Sequence, residues 1–293
     1  MAELQLRDLT PAFGTEITGL DPMEALADAE TTQRLQELFD SRGVLVFRDV
    51  DVDQPTQANL VRALIGMGPL PAGESGSARA NGDPFYVSNK EPAGGAPFGR
   101  LLFHSDMMWS EHTFQVLSLY GVEIEPPVSP TLFSSAANAW MTLPPALRAE
   151  AERHAAVQGH NENERARAEN DPDVLITTFD NLPTRTTPIK YPHPRTGADI
   201  LYVSQQMTCA VEGLPSADSE ALLEELFGHL YRAECVYEHD WRHHDLVAWD
   251  NIAVQHARPN VTVEGPVRTL RKVFAPLPPR GASPTRPKFA TAG

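Results

Sequence analysis

Cysteine is nearly absent: Cys209 and Cys235 are the only two among 293 residues, and they form no CxxC pair. That excludes a disulfide framework and a thiolate zinc site, and it suits a reducing compartment. Basic charge is also short, with 24 Lys and Arg against 39 Asp and Glu and a formal net charge of -15. Such a balance repels phosphate backbones and anionic bilayer surfaces, so neither nucleic acid nor membrane is an expected partner. No apolar run reaches the roughly 18 residues that a bilayer-crossing helix needs, and the opening residues lack an apolar stretch behind a basic start. A cytoplasmic location is expected. What remains, 41% hydrophobic and 22% charged residues, describes a soluble chain able to bury a sizeable core.

Periodicity divides the chain into recognisable elements. Thr31 and Thr32 offer caps to a helix that Gly43 can end, and Val44-Leu-Val-Phe47 follows as a buried strand. A second helix is predicted from Pro55 to about Met67. Residues 68–99 are dense in Gly, Pro, Ser and Asn, which predicts a long loop or lid with one strand at Phe85-Tyr-Val87. Within that loop, Asn89 has two readings, ordering the lid or meeting the substrate against bonding its own backbone, and the second is the commoner. Strands are predicted over 114–124 and 131–137, then a helix opened by Thr142 and running to about Ala156. A polar insertion spans 158–181. A short strand at Ile200-Leu-Tyr-Val203 precedes a helix over 218–231 whose leucines recur at helical spacing. Strands over 245–254 and 267–275 flank a turn holding Pro and Gly. The expected fold is α+β, with a double-stranded β-helix (jelly roll, cupin-like) core and flanking helices and insertions. One domain should cover 1–275, and the proline-rich tail at 276–293 is expected to be poorly ordered.

Chemistry concentrates in a few histidines. Two His and one carboxylate on one face of iron(II) leave the opposite face open for oxygen and a chelating co-substrate. His104-Ser-Asp106 follows the apolar Leu101-Leu-Phe103, and in an extended segment residues i and i+2 project to the same side. His243-His-Asp245 has the same spacing and His160-Asn-Glu162 a related one, so the triplet alone decides nothing. The first lies in a predicted surface turn and the second in the polar insertion, where a solvated side chain is the simpler account. A third ligand must come from a distant strand, and His256, closing a run that starts at Asp250, is available. By itself His256 also fits a packed, hydrogen-bonded core histidine.

Several separate segments resemble one family in the right order. Pro11-Ala-Phe-Gly-Thr-Glu-Ile-Thr-Gly-Leu-Asp21, Val44-Leu-Val-Phe-Arg48, His104-Ser-Asp-Met-Met108 and Asp245-Leu-Val-Ala-Trp-Asp-Asn251 with His256 resemble the TauD/TfdA dioxygenases. The resemblance implies Fe(II) held by His104, Asp106 and His256, with 2-oxoglutarate and O2 as co-substrates and succinate and CO2 as products. It implies hydroxylation or oxidative cleavage of a small-molecule substrate, and a homo-oligomer, dimer or tetramer. Thr131 and Arg268 occupy the places resembling the family's pair for the distal carboxylate of 2-oxoglutarate. A buried carboxylate must be paired and hydrogen-bonded, which a hydroxyl and a guanidinium do.

Strand alternation puts Arg268, Leu270 and Lys272 on one face and Arg271 on the other, so only one arginine can enter a common pocket. Arg268 is preferred, with Arg271 kept open. Lys272 falls where related enzymes place an arginine that grips an anionic substrate, and an ammonium lacks the bidentate fork. Met107, Arg100 and Arg271 complete the candidate substrate contacts. The loop after Gly68 lacks the histidine that taurine-cleaving members use, so taurine is a poor expectation. With Asp106 as a ligand, no coordination position is left for a halide, and halogenation is not expected. Two other readings fit the same residues: a cupin-like metalloenzyme that does not use 2-oxoglutarate, and a catalytically silent jelly-roll binding protein.

Overall fold

Val44–Phe47 is buried along its whole length because both of its faces are covered. Leu45 and Phe47 turn toward helices on one side, while Val44 and Val46 turn toward a second sheet on the other. The structure, a computed structural model, describes residues 4–76, 79, 82–159, 173–178, 183–277 and 288–291. Its first part comprises β1 (Gln5–Asp8), β2 (Thr15–Thr18), α1 (Pro22–Ala27), α2 (Ala29–Arg42), β3 (Val44–Phe47) and α3 (Gln54–Leu64). Then come β4 (Phe85–Ser88), β5 (Leu101–His104), β6 (Val116–Ile124), β7 (Thr131–Ser135), α4 (Ala136–Thr142) and α5 (Pro145–Arg153). β8 (Ala155–Gln158), β9 (Leu175–Thr178), β10 (Arg185–Pro188), β11 (Lys190–Pro192), β12 (Asp199–Leu201) and β13 (Thr208–Val211) follow. The last elements are α6 (Ser216–Leu230), β14 (Val236–His239), β15 (Leu246–Asp250), β16 (Val254–Arg258), β17 (Arg268–Ala275) and β18 (Lys288–Thr291).

The fold is mixed α+β with several sheets. A 7-stranded sheet runs β1-β2-β3-β15-β6-β17-β4, and a 4-stranded sheet runs β14-β7-β16-β5. Leu117, Val247, Trp249 and Leu270 of the larger sheet pack against Phe133 and Val254 of the smaller. On its outer face the larger sheet carries α2 and α3 through Leu35, Phe39, Leu60 and Leu64. A third cluster joins α4, α6 and β12 to Met108 and Trp109, just beyond the end of β5.

Several local expectations are corrected. Asp28, not Thr31 or Thr32, caps α2: its carboxylate accepts the Thr31 N–H at 3.0 Å, and a carboxylate at the N-terminus also meets the positive end of the helix. Gly43 ends that helix in the left-handed conformation as anticipated. Thr142 closes α4 instead of opening the next helix, because Ser135 already accepts the Asn138 N–H as the cap. β7 therefore stops at Ser135. The predicted strand over 245–254 is interrupted: Asp250 accepts the N–H groups of Ile252 and Ala253, and this turn carries the chain from β15 in one sheet to β16 in the other. Part of the proline-rich tail, Lys288–Thr291, pairs with β9, which its composition did not suggest. His160 and Glu162 lie outside the described residues.

One charged network ties the first hairpin to the sheet and gives a pH-dependent prediction. Glu16 accepts from Arg7 Nε at 3.0 Å and Arg48 Nε at 2.8 Å, and these bonds hold its carboxyl down at about 2 despite partial burial. A depressed carboxylate contributes stability above its unfolded value, near 4.5, and loses it as pH falls toward about 2. Relative to Glu16→Gln, the wild type should therefore melt higher at neutral pH. Thermal melts taken stepwise downward should show that advantage shrinking below the unfolded value.

Candidate active site

β5 and β16 are antiparallel neighbours in which His104 stands directly opposite His256, with ring centroids 4.2 Å apart. Toward Arg258 the register shifts, and β5 carries the extra residue, since Arg258 pairs with Leu101. Asp106 lies just past the strand end, and His104 Nε2 is 3.3 Å from Asp106 Oδ1. The ligand atoms of His104, Asp106 and His256 all lie within 4.8 Å of one another, the one such grouping found among the described residues.

The turn that presents Asp106 is clamped from the opposite sheet crossing. Asn251, fully buried beside the β15–β16 turn, accepts the Asp106 N–H at 2.9 Å and donates to the carbonyls of Asp106 at 2.8 Å and Phe114 at 3.1 Å. Met107, the next residue, is left-handed at φ 59°, a conformation that costs a non-glycine residue and needs such support. Replacing Asn251 with alanine strands three buried backbone groups and frees this turn. Supporting groups of this kind typically set metal affinity by about 10–100-fold. Calorimetric titration with Mn(II) should find Asn251→Ala weaker by that order while its fold is retained.

Three observations say what the triad can hold. His104 Nδ1 lies 2.7 Å from the Leu102 carbonyl, an acceptor only, so Nδ1 carries the proton and Nε2 presents a lone pair to the Asp106 carboxylate. Two acceptors facing each other call for a cation between them. His256 Nδ1 is buried with no partner among the described residues. Burial holds His256 well below the usual imidazole range, so it is a neutral ligand. Burial opposes ionisation of Asp106, but the Lys272 ammonium outweighs it and keeps the carboxyl well below its usual range. The residues present therefore fit a divalent metal.

Lys272, on β17, pairs with Asp106 Oδ2 and so reaches the site across the gap between the sheets. Arg268 shares its face. Arg268 is 3% exposed and donates to the Ser129 carbonyl at 2.8 Å and to Thr131 Oγ1 at 3.1 Å. Trp241 Nε1 donates to the same hydroxyl at 3.0 Å. With two donors already on its oxygen, the Thr131 hydroxyl has its own proton left to donate, and no acceptor for it stands among the described residues. Among the described residues no carboxylate bonds Arg268, and burial pushes its guanidinium well below the usual range. A buried cation and a free hydroxyl donor side by side make a carboxylate site.

Arg271 is a correction. It faces the helices, donating to Gln57 Oε1 at 2.7 Å with its guanidinium over the Tyr120 ring, and takes no part in the site. The regular alternation of β17 survives because the bulge falls on its neighbour β6, where Gly121 and Glu123 face consecutive β17 residues. Met107 is partly buried and packs against two core clusters beside Asp106. Arg100 precedes β5, and its backbone bridges Val174. His243 is exposed, and Asp245 is bound to Arg48, so the competing triplet faces away from the triad. Asn89 is corrected too: its amide donates to the Thr262 and Pro266 carbonyls, and its oxygen accepts the Arg268 N–H at 3.0 Å.

Residues 5–274 match the family described as "Taurine catabolism dioxygenase TauD, TfdA family". The chain belongs to the TauD/TfdA family. Among curated relatives, the alpha-ketoglutarate-dependent 2,4-dichlorophenoxyacetate dioxygenase of Cupriavidus pinatubonensis is 30% identical over 268 residues, covering 85% of this chain and 89% of the relative. An alkylsulfatase of Acinetobacter baylyi is 26% identical, covering 87% and 79%. Of solved structures, AAD-2 in complex with Mn(II) and N-oxalylglycine superposes with a TM-score of 0.73 at 21% identity, covering 97% and 100%. A taurine dioxygenase from Burkholderia xenovorans gives 0.72 at 22%, covering 92% and 90%. This TauD/TfdA chain is accordingly a 2-oxoglutarate-dependent dioxygenase, and the silent binding protein and the cupin without 2-oxoglutarate are set aside.

Proposed function

We propose that His104, Asp106 and His256 bind iron(II), that Arg268 and Thr131 bind the distal carboxylate of 2-oxoglutarate, and that the enzyme hydroxylates or oxidatively cleaves a small organic substrate. The observation that carries this reading is the buried Arg268–Thr131 pair, unanswered by any carboxylate among the described residues, on the same face of the sandwich as a three-ligand cluster. The two facing sheets make a jelly-roll core the natural description of the fold.

Iron(II), 2-oxoglutarate and O2 together supply an oxidant able to attack a C–H bond, releasing succinate and CO2. The protein's part is placement. Thr131 donates and Arg268 pairs with the distal carboxylate, which orients the keto acid end away from the pocket floor. Lys272 neutralises Asp106 Oδ2, leaving Oδ1 beside His104. The Leu102 carbonyl fixes the His104 tautomer so that Nε2 faces the metal position. Met107 offers an apolar contact and Lys272 a single ammonium to the substrate, which suits a small molecule with an apolar body better than one needing a bidentate arginine clamp.

A succinate assay with 2-oxoglutarate and a panel of aryloxyalkanoates, alkyl sulfates and neutral analogues tests this reading. Substrate-stimulated succinate formation is the expected result. Succinate formation that no panel member stimulates contradicts the proposed substrate class.

A further inference from the structure

Arg258 is absorbed by none of the roles above, and its surroundings are unusual. It ends β16, two residues past His256, and is 4% exposed. Its Nη1 donates to the Ala96 carbonyl and its Nη2 to the carbonyls of Phe98 and Gly99, all at 2.8 Å. Its Nε is shut away from solvent with no partner. Among the described residues no carboxylate bonds it, and burial pushes it down to about 10. Its neighbour Pro259 accepts from Ser129 Oγ at 3.1 Å, Ser129 in turn accepts from Arg268 Nε at 2.8 Å, and Ala257 pairs with Leu132 next to Thr131, so Arg258 sits beside the Arg268–Thr131 pair, where its charge disfavours the Arg268 cation as well.

Two buried guanidiniums that repel each other, neither paired with an acid among the described residues, leave a region of positive charge that a bound anion would balance. A strand-end arginine meant only to hold a loop would need no such neighbour. The loop it holds is also placed to matter. Ala96 and Gly99 are both left-handed, Gly99 exchanges backbone bonds with Val261, and the next residues form β5 and end in His104. Asn89 ties the other end of the same segment to Arg268.

We propose that Arg258 is a positioning residue that supplies the second positive charge behind Arg268 and so makes the co-substrate pocket selective for a 2-oxo acid bearing a distal carboxylate over one that lacks it. The inference rests on the assignment of Arg268 and Thr131 to that carboxylate. Binding of the monoanion draws little on the added charge, whereas binding of the dianion relieves the repulsion between the two arginines.

The test is a comparison of 2-oxoglutarate with 2-oxobutanoate, each titrated anaerobically into the iron(II)-loaded protein. Its readout is the ratio of their dissociation constants. Arg258→Gln, which removes the charge and keeps a polar side chain, should reduce the preference for 2-oxoglutarate about tenfold or more. Arg258→Lys, which keeps the charge but loses the fork to the three carbonyls, should hold the ratio within about threefold. A purely structural role would weaken both acids alike and leave the ratio untouched in Arg258→Gln, and that result overturns the proposal. If the Gln variant does not fold, a collapsed ratio in Arg258→Lys overturns it equally. Arg268→Gln separates the two claims: an unchanged ratio there defeats the pocket assignment itself, whereas a collapsed ratio there beside a normal one in Arg258→Gln defeats only the role of Arg258.

Discussion

The His104→Ala protein is expected to bind iron(II) on the order of a thousandfold more weakly than the wild type and to form no succinate above background, the equivalent of losing about 4 kcal/mol of metal binding. The reasoning is geometric. His104 shares a strand end with Asp106 and faces His256 across a paired strand, so its removal leaves one imidazole and one carboxylate, and the carboxylate is already engaged by Lys272. His256→Ala should behave alike, since its ring is the sole ligand supplied by β16. Equilibrium titration with Fe(II) or Mn(II), read beside a melting curve of the apo protein, separates lost ligation from lost folding. Iron affinity within a few-fold of wild type in either variant would show that the metal sits elsewhere.

Arg268→Gln should raise the KM for 2-oxoglutarate roughly a hundredfold, within the 2–5 kcal/mol (about) that truncating one partner of a buried charge pair costs. Metal affinity should change little, because Arg268 touches none of the three ligands. A second consequence has the opposite sign. Without co-substrate the guanidinium is a buried charge with no acid bonded to it among the described residues, so neutralising it relieves a desolvation cost. Apo Arg268→Gln is thus expected to melt at or above the wild-type temperature. Added 2-oxoglutarate, which stabilises the metal-loaded wild type by binding the folded state, should no longer do so at the same concentration. A lower apo melting temperature with an unaltered KM would assign Arg268 to structure alone.

Much of this site was legible in the sequence because it follows from alternation and chain order. The inner face of β17 holds Arg268, Leu270 and Lys272, and the outer face holds Arg271, as period-two spacing requires, since the bulge that could have reversed them lies on β6. The triad was legible from an apolar strand ending in His104 and from a distant histidine in the right order. What was missed depends on contacts between residues far apart in sequence. Asn251 bonds Asp106 from 145 positions away, and within a run that reads as one strand nothing marks that bond. The break between β15 and β16 was invisible because Ile252, Ala253 and Val254 continue an apolar run, and only the Asp250 bonds to backbone show the chain leaving one sheet for the other. Arg258 carries no signal in the sequence, and only its burial against three carbonyls of a loop marks it out. Lys272 was placed on the correct face, but its engagement with Asp106 could not be read from spacing.

The most direct test of the central claim is anaerobic: iron(II) and 2-oxoglutarate are added to the purified protein and the visible spectrum is recorded. The account predicts a charge-transfer band that saturates at one iron and one 2-oxoglutarate per chain and is absent in His104→Ala. No band in the wild type, or an undiminished band in His104→Ala, would contradict it.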